Sequence, residues 1–246
     1  MKTLNQFITE KFRISKDSIN QYKYHPKTIR ELDELVKKLI KERGNDADLN
    51  DIDTSEITDM SFLFKESDFN GNISNWDVSN VKDMNSMFYK SKFNGDIFKW
   101  DVSNVESMSW MFRESKFNQD ISQWDVSSVK YATYMFTKSK FNGDISQWNV
   151  SKVERMTGMF EKSKFNGDIS KWNVSEVKYM DGMFYGSQFN GDISMWNVSN
   201  VENMANMFVD SQFNGDISAW DVSNIKTMRD MFDNSPLEKN TPAWYK

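Results

Sequence analysis

The 246-residue chain carries 31 basic and 36 acidic side chains, 15% aromatic residues, three prolines, one histidine and no cysteine. Aromatics at that level exclude a disordered acidic chain, and the absence of cysteine excludes a disulfide framework and a thiolate metal site, while His25 alone assembles no histidine-based zinc centre. The balanced charge offers no clustered positive field for nucleic acid, and charged residues interrupt every apolar stretch before the ~20 residues that a membrane helix needs.

The opening stretch, MKTLNQFITEKFRI, lacks the uninterrupted apolar core of a signal peptide, so no export signal is expected and the default address is cytoplasmic. Leu4, Phe7, Ile8, Phe12 and Ile14 have helical spacing. They are expected either to extend a lid or to dock the chain, through residues 1–24, onto a larger assembly. His25 precedes Pro26 and is expected in the turn that enters the next element. Residues 28–43 predict an amphipathic helix with Ile29, Leu32, Leu35, Val36, Leu39 and Ile40 on one side, a Thr28/Glu31 capping box and Gly44 as its stop.

Tryptophan then sets a register. Trp76, Trp100, Trp124, Trp148, Trp172, Trp196, Trp220 and Trp244 recur every 24 residues, and Trp110 alone falls outside the series. With Trp as position 0 the unit reads W-[D/N]-V-S-x-V-x-x-M-x-x-M-F-x-x-S-x-F-N-G-D-I-S-x. Leu49, Ile52, Ile57, Met60, Leu63 and Phe64 already follow the pattern, so the array is expected to start near residue 47. Pro26, Pro236 and Pro242 all lie outside the regular units, which fits a stack that needs every interior backbone N–H.

Two periods alternate inside a unit. Ile73, Trp76 and Val78 predict a short strand with one buried side, and Val81, Met84, Met87 and Phe88 predict a helix of about two turns. Serine at the join is placed to cap that helix, with Ser103/Glu106, Ser151/Glu154 and Ser199/Glu202 as capping boxes. Phe93-Asn94-Gly95-Asp96 is expected to turn the chain back, with Phe93 inward and Gly95 supplying backbone freedom, although Gln119 takes the same place one unit later. Position 6 alternates in sign through Lys82, Glu106, Lys130, Glu154, Lys178, Glu202 and Lys226, as expected of side chains that meet across neighbouring coils.

The unit WDVSNVxxMxxMFxxSxFNGDIS closely resembles the BspA-like leucine-rich-repeat surface proteins, over residues 49 to about 244. The resemblance implies an α/β fold: a right-handed leucine-rich-repeat-like solenoid of about eight 24-residue coils, each a short strand plus a short helix, behind an N-terminal helical cap. The divisions expected are 1–46 for the helical segment and cap, 47–235 for the repeat solenoid and 236–246 for the C-terminal cap. Members of that family are mostly non-catalytic and serve adhesion or partner recognition at cell surfaces. The resemblance therefore implies a surface address at odds with the unmarked N-terminus.

Candidate site residues divide into two groups. Position 10 holds Phe62, Trp110 and Tyr134, with Tyr131 and Tyr89 nearby, and exposed aromatics mark interfaces. The competing reading is that Tyr131 or Tyr134 folds over the space left by Ala132, which stands where Met is expected. On the expected strand face, Lys99, Gln123, Gln147 and Lys171, with Asp101 and Asp125 in the adjacent column, form a charged first half that gives way to Met195 and Ala219. Lys92, Lys116, Lys140 and Lys164 add a basic stripe read as a solvated edge.

Bland readings suffice elsewhere. Stacked Asp columns could suggest calcium, yet such side chains more often bond the N–H groups of their own turn. Asn70, Asn94, Asn118, Asn142, Asn166, Asn190 and Asn214 read as an asparagine ladder, and the Met columns as core filling rather than copper ligands. No acid–base pair or nucleophile motif stands out, so no catalytic residue, metal or cofactor is assigned. The function expected is non-enzymatic recognition, adhesion or scaffolding, with a protein or glycan partner and no nucleic acid. The second expectation is a structural subunit of a virion or surface layer, and the chain is then a monomer or one subunit of that assembly.

Overall fold

The computed structural model describes residues 22–245. Helix α1, Ile29–Arg43, begins where the Thr28 hydroxyl accepts the Glu31 N–H at 3.2 Å, while the Glu31 carboxylate reaches back to the Lys27 N–H at 2.7 Å. It ends at Gly44, whose φ of 89° is open to glycine at little cost and whose N–H closes on the Ile40 carbonyl. Leu32, Val36 and Leu39 are buried in one core with Leu49 and Ile52, so α1 is the lid that the periodicity predicts. Residues 1–21, which carry the helical spacing at Leu4, Phe7, Ile8, Phe12 and Ile14, lie outside the described residues. Tyr24, at the end of the expected docking element, instead forms a parallel bridge with Ile52 and extends the edge of the first coil.

Beyond α1, residues 24 apart sit side by side. Parallel bridges run Asp59 to Asp83, Ser107, Tyr131, Arg155, Tyr179, Asn203 and Thr227, one per coil. The core is a set of parallel columns. Phe64, Phe88, Phe112, Phe136, Phe160, Phe184, Phe208 and Phe232 stack at 5.6 to 5.9 Å between centroids. Phe69 through Phe213 form a second file at 6.2 to 6.5 Å. Each register tryptophan from Trp76 to Trp220 is at least 95% buried, and its indole N–H donates to the carbonyl 27 residues earlier, as Trp148 does to Ile121 at 3.1 Å.

The elements within a coil differ from those that the spacing predicts. Neither the short strand nor the short helix forms. Ile73–Trp76 and Val78–Val81 are single turns on either side of an extended Trp76-Asp77-Val78, closed by N–H to carbonyl bonds of 3.1 and 2.9 Å. The expected helix is three overlapping turns, in which Met87, Tyr89 and Ser91 donate to the carbonyls of Met84, Ser86 and Phe88. The interleaved N–H groups of Met84, Ser86, Phe88 and Lys90 point out of the coil and donate to Ser107, Ser109, Met111 and Arg113 of the next one at 2.9 to 3.0 Å. A two-turn helix would leave donors and acceptors unpaired at each end, whereas this arrangement satisfies odd positions within the coil and even positions between coils.

That pattern requires φ > 0 at the third residue of the first and last turns, as in a type II turn. Position 10 is left-handed in every coil: Phe62, Ser86, Trp110, Tyr134, Gly158, Gly182, Asn206 and Asp230 have φ between 54° and 63°. Position 14 behaves the same way from Glu66 to Asn234, with φ between 51° and 59°.

Other local assignments change with it. The serines expected as helix caps close Asx turns: the Ser103 N–H and hydroxyl both donate to Asp101 at 3.1 and 2.6 Å. Gly95 is not left-handed. It is needed for room, since a Cβ there would sit 2.8 Å from the Phe93 ring. The asparagine ladder is present, each N–H donating to the preceding amide oxygen, as Asn142 does to Asn118 and Asn166 to Asn142, both at 2.9 Å. The alternating charges meet as Glu106–Lys130, Glu154–Lys178 and Glu202–Lys226, at 2.7, 3.5 and 2.7 Å.

Candidate functional site: the ladder of turns

Every column in the core repeats, so chemical individuality lies in the columns that vary. Positions 7, 10 and 13, all on the ladder of turns, hold Tyr89, Tyr131, Tyr134, Tyr179 and Tyr185, the one off-register tryptophan, Trp110, and Phe62. No other tyrosine occurs in the repeats before Tyr245.

The rings form a connected row across the first coils. Tyr89 meets Trp110 edge-on at 6.1 Å, and Trp110 meets Tyr134 at 4.9 Å. The Arg113 guanidinium lies 4.2 Å from the Trp110 ring centre and 5.3 Å from that of Tyr134, and the Lys65 ammonium lies 5.6 Å from both Phe62 and Tyr89. Such contacts fix the rings at low conformational cost and leave them partly open to solvent. Phe62 is 52% exposed.

Three of these aromatics occupy the left-handed position 10. The same backbone place is filled by glycine at 158 and 182 and by Asn206 and Asp230, the residues that accept positive φ most readily. Phe62, Trp110 and Tyr134 are bulky side chains held where backbone sterics disfavour them, and strain of that kind clusters at functional surfaces.

The alternative, that Tyr131 or Tyr134 repairs the gap at Ala132, is overturned. A small apolar cavity of about 10 Å³ remains beside Ala132, lined by Met108, Met135, Met156 and Met159 among other core residues and by neither tyrosine. Tyr134 instead lays its ring over Gly158, where any Cβ would collide with it. Tyr131 is 39% exposed.

Past Tyr134 the row opens into a groove of about 430 Å³, lined by Tyr134, Glu161, Lys162, Asp181, Gly182, Tyr185 and Asn206. Gly182 forms its floor, and a Cβ there would meet nothing nearer than the Tyr185 Cβ at 4.0 Å. Asp181 is held by the Thr157 hydroxyl at 3.0 Å. Burial, then the carboxylates of Glu161 and Asp181, push the Tyr134 phenol above its ordinary range, and Asp210 does the same to Tyr185. Both hydroxyls therefore stay protonated donors across the neutral range. These groove residues other than Tyr134 were missed in the sequence, although Gly158 and Gly182, glycines outside the repeated F-N-G-D, were the available signal.

The second group of candidates lies elsewhere on the coil. Lys99, Gln123, Gln147 and Lys171 are exposed in the I-[S/F]-x-W turns, and no hydrogen bond, ion pair or ring contact joins them to the aromatic row among the described residues. Asp101 and Asp125 accept from their own turns, Asp125 from the Ser127 N–H at 3.0 Å, which leaves them turn-forming residues. Asp96, Asp120, Asp144, Asp168, Asp192 and Asp216 likewise accept the N–H two residues on.

The coil register and the aromatic columns define a repeat protein, with a near-constant interior and a surface whose residues vary from coil to coil. Its family is given by direct comparison: the family described as "Mycoplasma protein of unknown function, DUF285" matches residues 31–142 and 133–244, and the chain belongs to it. No curated protein and no solved structure matches. No helix among the described residues is long and apolar enough to cross a membrane.

Proposed function

We propose that this chain is a non-enzymatic recognition protein, a right-handed solenoid of the BspA-like leucine-rich-repeat kind, that binds a protein or glycan partner through the ladder of turns. The supporting observation is the placing of Phe62, Trp110 and Tyr134 at positive φ, where Gly, Asn and Asp serve the fold at less cost. A rigid row of aromatics flanked by Lys65 and Arg113 has the composition of an interface hot spot. The face expected from the strand reading, with Lys99, Gln123, Gln147 and Lys171, ranks second, because its exposed apolar side chains, Phe98 and Met195, stand four coils apart and form no connected row.

The test is a binding screen of the purified chain against immobilised matrix proteins and a glycan array, repeated with Trp110→Asn. Asn206 already occupies the equivalent backbone place at φ 58°, so the variant is compatible with the fold. A retained partner should be weakened by about tenfold or more with Tm changed by less than about 3 °C. Unchanged affinity in Trp110→Asn, or loss of binding in Lys99→Glu instead, would overturn the assignment.

A further inference from the structure

We propose that the groove over Gly182 is a subsite for a neutral pyranose unit of a glycan, a reading that rests on the ladder of turns being the recognition face. The groove's volume, about 430 Å³, falls in the ~300–1,000 Å³ range of small-ligand sites. Its chemistry is that of a polyhydroxylated ligand. Tyr134 and Tyr185 each present a ring for a weakly apolar C–H face, and the Tyr134 phenol donates, while that of Tyr185 is turned to Asp210. Glu161 and Asp181 are acceptors for paired hydroxyls, and Asn206 offers both a donor and an acceptor. Thr157 holds Asp181 at 3.0 Å, which lowers the cost of organising it.

Charge narrows the class. Glu161 and Asp181 face the groove, Asp210 stands beside Tyr185, and the single groove cation, Lys162, is already placed 4.8 Å from the Tyr185 ring centre. A sialylated or uronate-bearing glycan would meet like charge, so the site selects neutral or amino sugars. The backbone also argues for a deliberate opening: Gly182 sits at φ 60° in a column where Asn206 and Asp230 are accommodated, so the fold does not require glycine there.

That equivalence supplies a clean variant. Gly182→Asn keeps the left-handed backbone and fills the floor, and Glu161→Ala removes one acceptor without touching the backbone. The probe is an array of neutral, amino, sialylated and uronate-bearing glycans, with a lysine-rich peptide set alongside. Neutral or amino glycans should be retained, with about tenfold or greater loss in Gly182→Asn and a several-fold loss in Glu161→Ala. Three results would overturn the subsite: no glycan retained, retention indifferent to both substitutions, or preferential capture of acidic glycans. Capture of lysine-rich peptides that is lost in Gly182→Asn would overturn it too, by assigning the groove to cationic side chains. If Trp110→Asn still abolishes binding of a partner that both groove variants bind normally, the subsite falls while the recognition face stands. If none of the three variants affects a bound partner, the face falls as well.

Discussion

A bulky side chain at positive φ costs about 1–2 kcal/mol of backbone strain, and Phe62, 52% exposed and 5.6 Å from the Lys65 ammonium, recovers only part of it by burial. Phe62→Asn should therefore leave the protein as stable or more so, by up to about 1 kcal/mol in urea unfolding. A loss beyond that size would mean that the ring is needed for packing. The turn-forming aspartates set the acid limit. Hydrogen bonds from Ser127 hold Asp125 below the usual carboxylate range, the Ser146 N–H does so for Asp144, and Asp168, Asp192, Asp216 and Asp221 are held low by the serines two residues on. A depressed folded-state pKa contributes stability that is present above the unfolded value of about 3.9 and lost as pH falls below it. Asp83 works the other way, raised by burial and by Asp59, so its protonation on acidification favours the fold. Asp51, Asp53, Glu106 and Glu202 are lowered as well, so one raised carboxylate stands against ten lowered ones and the net sign is clear: Tm should hold from pH 7 to about 5 and drop below about 4. A Tm as high at pH 3 as at pH 7 would refute this account of the aspartate columns.

At the scale of the coil, the ladder of turns explains both what was legible and what was not. The inward positions Trp76, Val78, Val81, Met84, Met87, Phe88 and Phe93 were readable from spacing alone, because they follow burial and every one is at least 97% buried. Helix and turn ladder share that inward pattern, so periodicity could not separate them. The discriminating signal was local: Gly158, Gly182, Asn206 and Asp230 at position 10, with Gly186, Asp210 and Asn234 four residues on, are left-handed residues spaced for two type II turns. Ala132 marks the one defect in the methionine file. Ala132→Met would add three heavy atoms to a space of about 10 Å³, room for little more than one water, so it should overpack the site and lower stability by about 1–3 kcal/mol in urea unfolding. A stabilised variant would show that the neighbouring methionines move aside to admit the side chain.

Over the whole molecule, the two ends of the stack are finished differently. Leu49, Ile52, Ile57 and Met60 in the first coil are essentially fully buried beneath α1. In the last coil Ile225 and Met228, the counterparts of Ile57 and Met60, and Val222, at the place of Thr54, are only partly buried, while Trp244 and Tyr245 cover Trp220 and Phe232. Stability in a stack is a sum over coil interfaces, so the less covered end opens first. Hydrogen exchange should show the ladder amides of Asn206 and Phe208, which bond to the last coil at Arg229 and Met231, exchanging faster than those of Tyr134 and Phe136 in mid-stack. Equal protection along the array would mean that it unfolds as one unit.

By itself the sequence determined the 24-residue register, the inward columns, the asparagine ladder and the capped helix at the front. The first three depend on side-chain volume and polarity that recur from unit to unit, and the helix on a capping bond local to its own first turn. Only the tertiary structure decided which turns replace the expected strand and helix, that Tyr134 lies over Gly158 and not over Ala132, and that a row of aromatics runs into the Gly182 groove. Those outcomes rest on bonds and contacts between residues about 24 apart, which exist only once one coil lies against the next.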